Sequence, residues 1–116
     1  MKNKDFQVVY KNGKSHANKY LVMYIYNNES SDNRLGISVS KKVGNSVVRH
    51  RITRLIRESY RQQEDLFQKG WDIVVIARAG AKGRTYQEIE SALIHLGKLH
   101  YIIEDKMEIQ GWKKYL

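Results

Sequence analysis

The 116-residue sequence contains no cysteine and no proline, and no hydrophobic run approaches the length of a membrane span, which is about 20 residues. Without cysteine, the chain can form no disulfide scaffold, no zinc ribbon and no thiol nucleophile. Its first residues, MKNKDFQ, lack the apolar segment of a secretion signal. We therefore expect a soluble, cytoplasmic protein that has no membrane partner.

Nothing in the sequence suggests a linker, because it has no repeat and no long Gly/Ser-rich or acidic tract. A length of 116 residues fits one ordinary domain, and a hydrophobic content of 41% can supply its core. We predict a single domain over residues 1–116.

Positive charge is the most informative part of the composition. Lysine and arginine number 21 against 12 acidic residues, which gives a net charge of +9. Residues 41–61 alone hold seven basic residues and one acidic residue. A surplus this concentrated favours a polyanionic partner, and nucleic acid is the first choice.

Three segments carry strand patterns. Apolar and other residues alternate over residues 20–26 and again over 34–40, whereas residues 71–77 form a nearly unbroken β-branched run. The unbroken run is typical of a central strand. If the first two strands pair, the sheet has one apolar face for helices and one polar, tyrosine-bearing face left open.

Three segments carry helix patterns. The first follows Asn3 as a possible cap and stops at Gly13, and the second covers residues 46–68 after a cap at Asn45 or Ser46. The third follows the capping box that starts at Thr85. The resulting order is α-β-β-α-β-α, an α+β fold whose mixed sheet has its helices mainly on one face. The tail, residues 104–116, stays unassigned.

The second predicted helix has two unlike faces. At 100° per residue, its apolar side chains fall together and its cationic ones fall on the other side. The cationic face consists of Arg49, Arg51, Arg54, Arg57 and Arg61, with His50 among them. Guanidinium groups match phosphate oxygens, and only Glu58 is spaced to neutralise them. We interpret this face as a nucleic-acid surface rather than a merely solvated one.

Aromatic side chains are the second candidate for RNA contact. Phe6 and Tyr10 share one face of the first helix, and Tyr24 lies on the non-aliphatic side of a strand. Exposed rings can stack unpaired bases, although rings at such positions often belong to the core.

Support for catalysis by the protein itself is weak. The four histidines form no metal-ligand motif, and the sequence has no P-loop or dinucleotide fingerprint. We predict no catalytic side chain and no metal site in the protein. The number of histidines is nevertheless compatible with a ribonuclease that uses two of them as acid and base.

Residues 35–57, LGISVSKKVGNSVVRHRITRLIR, resemble the signature of the protein subunit of bacterial ribonuclease P. In that signature a GxSVSKK strand end leads into GN and an Arg-Asn-Arg helix start. Further matches over residues 5–7, 13–15, 17–18, 72–78 and 86–96, and at Tyr10, extend the resemblance over about residues 3–100.

The resemblance implies a ribosomal protein S5 domain 2-like fold with a left-handed βαβ crossover, against the general preference for right-handed ones. It also implies that an RNA subunit with bound Mg²⁺ is the catalyst, and that the protein alone binds no cofactor. The expected partners are the ribonuclease P RNA and precursor tRNA, whose 5′ leader the holoenzyme removes. No obligate protein partner is expected.

The resemblance assigns roles residue by residue. Phe6, Tyr10 and Tyr24 match aromatic residues that line the cleft for the single-stranded leader. The positions that match the basic RNA-binding motif are Lys41, Lys42, Asn45, Arg49, Arg51, Arg54 and Arg57, and Arg61 continues that face. His50 stands where the family usually has asparagine, so a hydrogen bond from that amide must be remade by imidazole or lost.

Two other functions remain open at this point. A structural rRNA-binding protein would share the charge and fold class. A self-sufficient endoribonuclease would depend on one of its own histidines, which are His16, His50, His95 and His100.

Overall fold

Three α-helices and a four-stranded mixed sheet make up the computed structural model, which describes residues 1–103. In chain order the elements are α1 (Asn3–Asn12), β1 (Lys14–Ala17), β2 (Leu21–Asn27), β3 (Arg34–Ser38), α2 (Ser46–Gln63), β4 (Trp71–Ala77) and α3 (Tyr86–Leu99). Short 3₁₀ turns follow α2 at Glu64–Leu66 and β4 at Ala79–Ala81. The predicted tail, residues 104–116, lies outside the described residues. None of the helices described is long and apolar enough to span a bilayer.

The strand order is β1-β2-β4-β3, with β2 antiparallel to both of its neighbours and β3 parallel to β4. The conditional pairing of the segments 20–26 and 34–40 is therefore wrong, because β4 lies between them. The central position predicted for residues 71–77 is confirmed. Ile73, Val74 and Val75 are fully buried, as expected for a strand covered on both faces.

The sequence pattern missed strand β1. Its four residues, KSHA, are all exposed and carry no hydrophobic alternation. The strand forms at the sheet edge because β2 offers backbone partners to it, from Lys14 opposite Ile25 to Ala17 opposite Val22. Pairing with a neighbour, rather than side-chain burial, defines this element.

The main core lies between one face of the sheet and the helices α2 and α3. Leu21, Met23 and Ile25 point into it from β2, as their alternation predicts. The helix residues that meet them are Ile52, Ile56 and Tyr60 of α2 and Ile89, Leu93 and Leu96 of α3. The predicted apolar face of α2 is therefore confirmed.

Helix α1 covers part of the opposite sheet face, so the expectation of an open, tyrosine-bearing face is only partly correct. Val9 of α1 and Val74 of β4 are both fully buried, although neither belongs to the main core. Tyr24 projects from the same face, where its ring contacts Tyr10 of α1. Two helices on one face and one on the other give the sheet two covered sides.

The helix termini follow local signals closely. The side-chain oxygen of Asn45 accepts the N–H of Val48, and Thr85 forms a capping box with Glu88. Helix α2 ends at Gln63 rather than at residue 68, since the chain tightens there into a 3₁₀ turn. Helix α1 ends before Gly13, as predicted, but its N-cap is Lys2 rather than Asn3.

Candidate RNA-binding surfaces

Basic side chains line the side of α2 that faces away from the core. Arg54 and Arg57 are exposed, and they form no hydrogen bond or ion pair with another described residue. The same holds for Lys41 and Lys42, which precede the helix in the loop after β3. These four cations are therefore available to an external anion.

The start of α2 departs from the predicted pattern at Arg49. This side chain is half-buried, and its Nε atom is buried without a hydrogen-bond partner among the described residues. Asn45, one turn earlier, uses its amide oxygen to cap the helix, at 3.0 Å from the N of Val48. Asn45 therefore holds a structural role in addition to the RNA contact implied by the resemblance.

Three further members of the predicted surface occupy different settings. Arg51 donates from Nη2 to the carbonyl oxygen of Arg84 at 3.2 Å, which ties α2 to the loop before α3. Arg61 pairs with Glu58 at 3.1 Å, but both side chains are exposed, so the pair contributes little to stability. His50 is exposed between Arg49 and Arg51.

The three predicted aromatic residues come together at the junction of α1 and the sheet. The ring centroids of Phe6 and Tyr10 are 6.2 Å apart, and those of Tyr10 and Tyr24 are 5.1 Å apart in an edge-on arrangement. All three side chains are half-buried. They form a continuous row of rings that remains partly accessible, which we call the aromatic row.

Gly36 of β3 allows α1 to approach the sheet closely. A Cβ atom at this position would lie 2.7 Å from Cζ of Phe6 and 2.9 Å from the sulfur of Met1. Such distances are far shorter than real van der Waals contacts. The absence of a side chain at Gly36 therefore sets the height of the Phe6 ring above the sheet.

Beside the aromatic row lies an ionic network that sequence reasoning missed. Arg34 forms two hydrogen bonds with Asp72, Nε to Oδ1 at 2.9 Å and Nη2 to Oδ2 at 2.6 Å. Asn28 also donates to Asp72, and Asp5 of α1 lies 3.5 Å from Nη2 of Arg34. No local sequence pattern predicts this network, because its members come from four separate segments of the chain.

These contacts shift the titration of both carboxyl groups. The hydrogen bonds from Arg34 hold the pKa of Asp72 below its ordinary value, although burial opposes the shift. The backbone N–H of Lys2 lowers the pKa of Asp5, and Arg34 adds to that effect. Both carboxyl groups therefore stay ionised at neutral pH and hold the Arg34 guanidinium between them.

The four histidines do not converge on one site. The rings of His16 and His100 are 4.5 Å apart, and Nε2 of His100 lies 2.9 Å from the carbonyl oxygen of Met23. His95 contacts Asn18, and His50 lies apart on α2. Within residues 1–103, no three acidic or histidine side chains are grouped closely enough to hold a metal ion.

Comparison with known proteins shows the family to which the chain belongs. A family model described as Ribonuclease P matches residues 1–100. The ribonuclease P protein component of Lachnoclostridium phytofermentans is 69% identical over 101 residues, which cover 87% of this chain and 87% of that protein. That of Alkaliphilus metalliredigens is 58% identical and covers 82% of this chain and 86% of its own length.

Solved structures show the same fold. The RNase P protein of Staphylococcus aureus superposes with a TM-score of 0.82 at 45% identity, covering 90% of this chain and 95% of that one. The Thermotoga maritima protein, solved in complex with 1-(4-fluorophenyl)-2-thiourea, gives 0.77 at 33% identity, covering 82% and 92%. The predicted family is thus confirmed, and the chain belongs to the ribonuclease P protein components, the protein subunits of a tRNA-processing endoribonuclease.

Proposed function

We propose that this chain binds the RNA subunit of ribonuclease P through α2 and the loop before it, and that it holds the 5′ leader of precursor tRNA along the aromatic row. The observation that carries the proposal is the contrast between two surfaces. One presents four cations, Lys41, Lys42, Arg54 and Arg57, that have no carboxylate partner among residues 1–103, and the other presents half-buried rings.

The cationic surface suits a folded RNA. Lys41, Lys42, Arg54 and Arg57 have no described partner to give up before they contact phosphates. Arg49 lies at the start of the same helix with its side chain half-buried, so only part of it faces the RNA. Each phosphate that is neutralised releases counterions, so binding at this surface weakens as salt is raised.

The aromatic row suits an unpaired strand. Phe6, Tyr10 and Tyr24 follow one another at centroid distances of 6.2 and 5.1 Å, and each ring keeps an accessible part. Stacking of one base on such a ring contributes about 1–3 kcal/mol and does not depend strongly on sequence. This tolerance fits a leader, whose sequence varies from one precursor tRNA to the next.

Bond cleavage is assigned in this proposal to the RNA subunit with its Mg²⁺, while the protein positions the substrate. Mg²⁺ held by RNA supplies the charge neutralisation that phosphodiester cleavage needs. Within residues 1–103 the protein offers no grouped acidic side chains that fit such an ion. Its arginines and aromatic rings bind and orient the two RNAs.

The remaining functions make different demands. A self-sufficient endoribonuclease needs two groups that can exchange protons at one phosphate. His16 and His100 are adjacent, but Nε2 of His100 already contacts the backbone carbonyl of Met23. A structural rRNA-binding protein would not need a leader-sized aromatic row.

Reconstitution tests the proposal. The purified protein is added to a bacterial ribonuclease P RNA at low Mg²⁺, and cleavage and affinity are measured for precursor tRNA with a leader and for mature tRNA without one. We expect the protein to speed cleavage of the precursor relative to the RNA subunit alone. We also expect it to raise the affinity for precursor tRNA but not for mature tRNA. No leader-dependent gain would contradict the assigned role of the aromatic row, and RNA cleavage by the protein alone would favour the endoribonuclease.

A further inference from the structure

We infer that Asp5, Arg34 and Asp72 act together as a positioning device that keeps α1 away from the open part of the sheet, and so holds the leader-binding cleft open. We call this set the α1 latch. The inference rests on the proposed function, since it assigns positioning residues to the aromatic row and takes the row to be the leader site.

The anchor of the latch lies within the sheet. Arg34 and Asp72 are register partners on the parallel strands β3 and β4. Two hydrogen bonds, of 2.9 and 2.6 Å, fix the guanidinium plane against a carboxylate whose side chain is only 4% exposed. Asn28 holds the same carboxylate at 2.9 Å. Because the carboxylate is held from two sides, the guanidinium has one preferred position.

The nitrogen that bonds Asp72, Nη2 of Arg34, also faces helix α1. Nη2 of Arg34 lies 3.5 Å from Oδ1 of Asp5, and the other oxygen of Asp5 accepts the backbone N–H of Lys2 at 2.9 Å. Asp5 directly precedes Phe6, the first ring of the aromatic row. The contact therefore ties the first turn of α1, and with it Phe6, to one position on the sheet.

The register shows which side of α1 the latch occupies. Three successive pairs on this sheet face are Arg34 with Asp72, Gly36 with Val74, and Ser38 with Ile76. The Phe6 ring covers the middle pair, because it lies against Gly36. The latch is formed by the first pair, on one side of the helix.

The third pair, on the other side of the helix, forms the open floor of the cleft. Ser38, Ile76 and the neighbouring Val22 are only half-buried. Pairs on one face are spaced by about 7 Å, and a helix with its side chains is about 10 Å wide. A shift of α1 by one pair would therefore cover the floor and close the cleft. Because the latch ties Asp5 of α1 to Arg34 of the first pair, it opposes that shift.

The test uses Asp5→Asn in the reconstituted holoenzyme. Asparagine keeps an oxygen for the Lys2 N–H but loses the charge that faces Arg34, while the buried pair of Arg34 and Asp72 stays intact. Asp65→Asn is the matched control, because it makes the same change of charge at an exposed residue of the 3₁₀ turn after α2. The quantity measured is the ratio of the affinities for precursor and mature tRNA.

We expect Asp5→Asn to lower this ratio about two- to fivefold, the range that loss of an exposed ion pair allows. The affinity for mature tRNA and for the RNA subunit should stay at the wild-type value, and Asp65→Asn should leave all three unchanged. A wild-type ratio in Asp5→Asn would overturn the latch. Absence of a leader-dependent ratio in the wild type would instead overturn the proposed function.

A distance measurement tests the latch independently of RNA. Because the chain has no cysteine, spin labels can be attached at Val8→Cys on α1 and Lys69→Cys before β4 without other changes. We expect one narrow distance distribution in the labelled parent and a shifted or broader one after Asp5→Asn. Identical distributions in both would overturn the latch, even if leader binding had changed.

Discussion

Tyr10 of α1 meets Tyr24 of β2 edge-on, with ring centroids 5.1 Å apart. The contact joins a helix to the sheet face that the sequence pattern alone leaves open. Each tyrosine therefore packs against the other and also keeps an accessible part of its ring. The proposed leader site and the docking of α1 share the same side chains.

Replacing Tyr24 by leucine should separate these two roles. Leucine retains apolar volume against Tyr10 but offers no ring for a base, so we expect precursor tRNA affinity to fall at least about fivefold. Tyr101→Leu is the control, because Tyr101 is 86% exposed and lies outside the aromatic row. Binding of both variants to precursor and mature tRNA is measured. Equal losses for the two RNAs in Tyr24→Leu would argue against stacking.

Replacing Arg54 by alanine should weaken assembly with the RNA subunit. Arg54 is exposed and has no partner among residues 1–103, so its loss removes a phosphate contact and leaves the fold intact. We expect the salt dependence of binding to flatten by about one counterion. Lys69→Ala, a loss of one charge away from α2, should retain the wild-type slope. Binding titrations at several salt concentrations measure the slope of log affinity against log salt concentration. Equal slopes for the two variants would contradict a direct contact between Arg54 and a phosphate.

Replacing Arg34 by methionine should destabilise the fold. The change leaves the buried carboxylate of Asp72 without its countercharge, which costs about 1–3 kcal/mol of unfolding free energy. Arg61→Met removes an exposed pair with Glu58 and should cost less than about 1 kcal/mol. Urea denaturation at pH 7 measures both. Equal effects would mean that the Asp72 carboxylate is solvated when Arg34 is absent.

Acid should destabilise the protein through His100. Burial lowers the pKa of this imidazole, and the neighbouring His16 and Lys14 add to the shift, while the Met23 carbonyl opposes it. Because the unfolded chain binds the proton more tightly, the stabilising effect is complete above the ordinary pKa of about 6.5 and is lost as pH falls through the lower folded value.

An NMR titration of the folded protein checks this directly. We expect the His100 resonances to move at a lower pH than those of the same residue in urea-unfolded chain. His100→Gln should flatten the dependence of unfolding free energy on pH below 6.5, the ordinary value. A His100 pKa at or above that value would contradict the prediction.

The sequence by itself determined the elements whose signals are local. Alternation over residues 20–26 predicts β2, which the structure has at Leu21–Asn27, and the caps at Asn45 and Thr85 begin α2 and α3. Each of these signals depends on residues within one turn of helix or a few positions of strand. The basic side of α2 is of the same kind, because the period of the helix and the hydrophobic residues already decide which side is buried.

Only the tertiary structure decided what depends on partners far apart in the chain. The exposed strand β1 exists because β2 pairs with it, and the half-burial of Arg49 follows from the packing around the start of α2. Arg34 and Asp72 are 38 positions apart, and they meet because β4 inserts between β2 and β3. Strand order depends on the free energy of the whole packed sheet, and no short stretch of sequence contains that information.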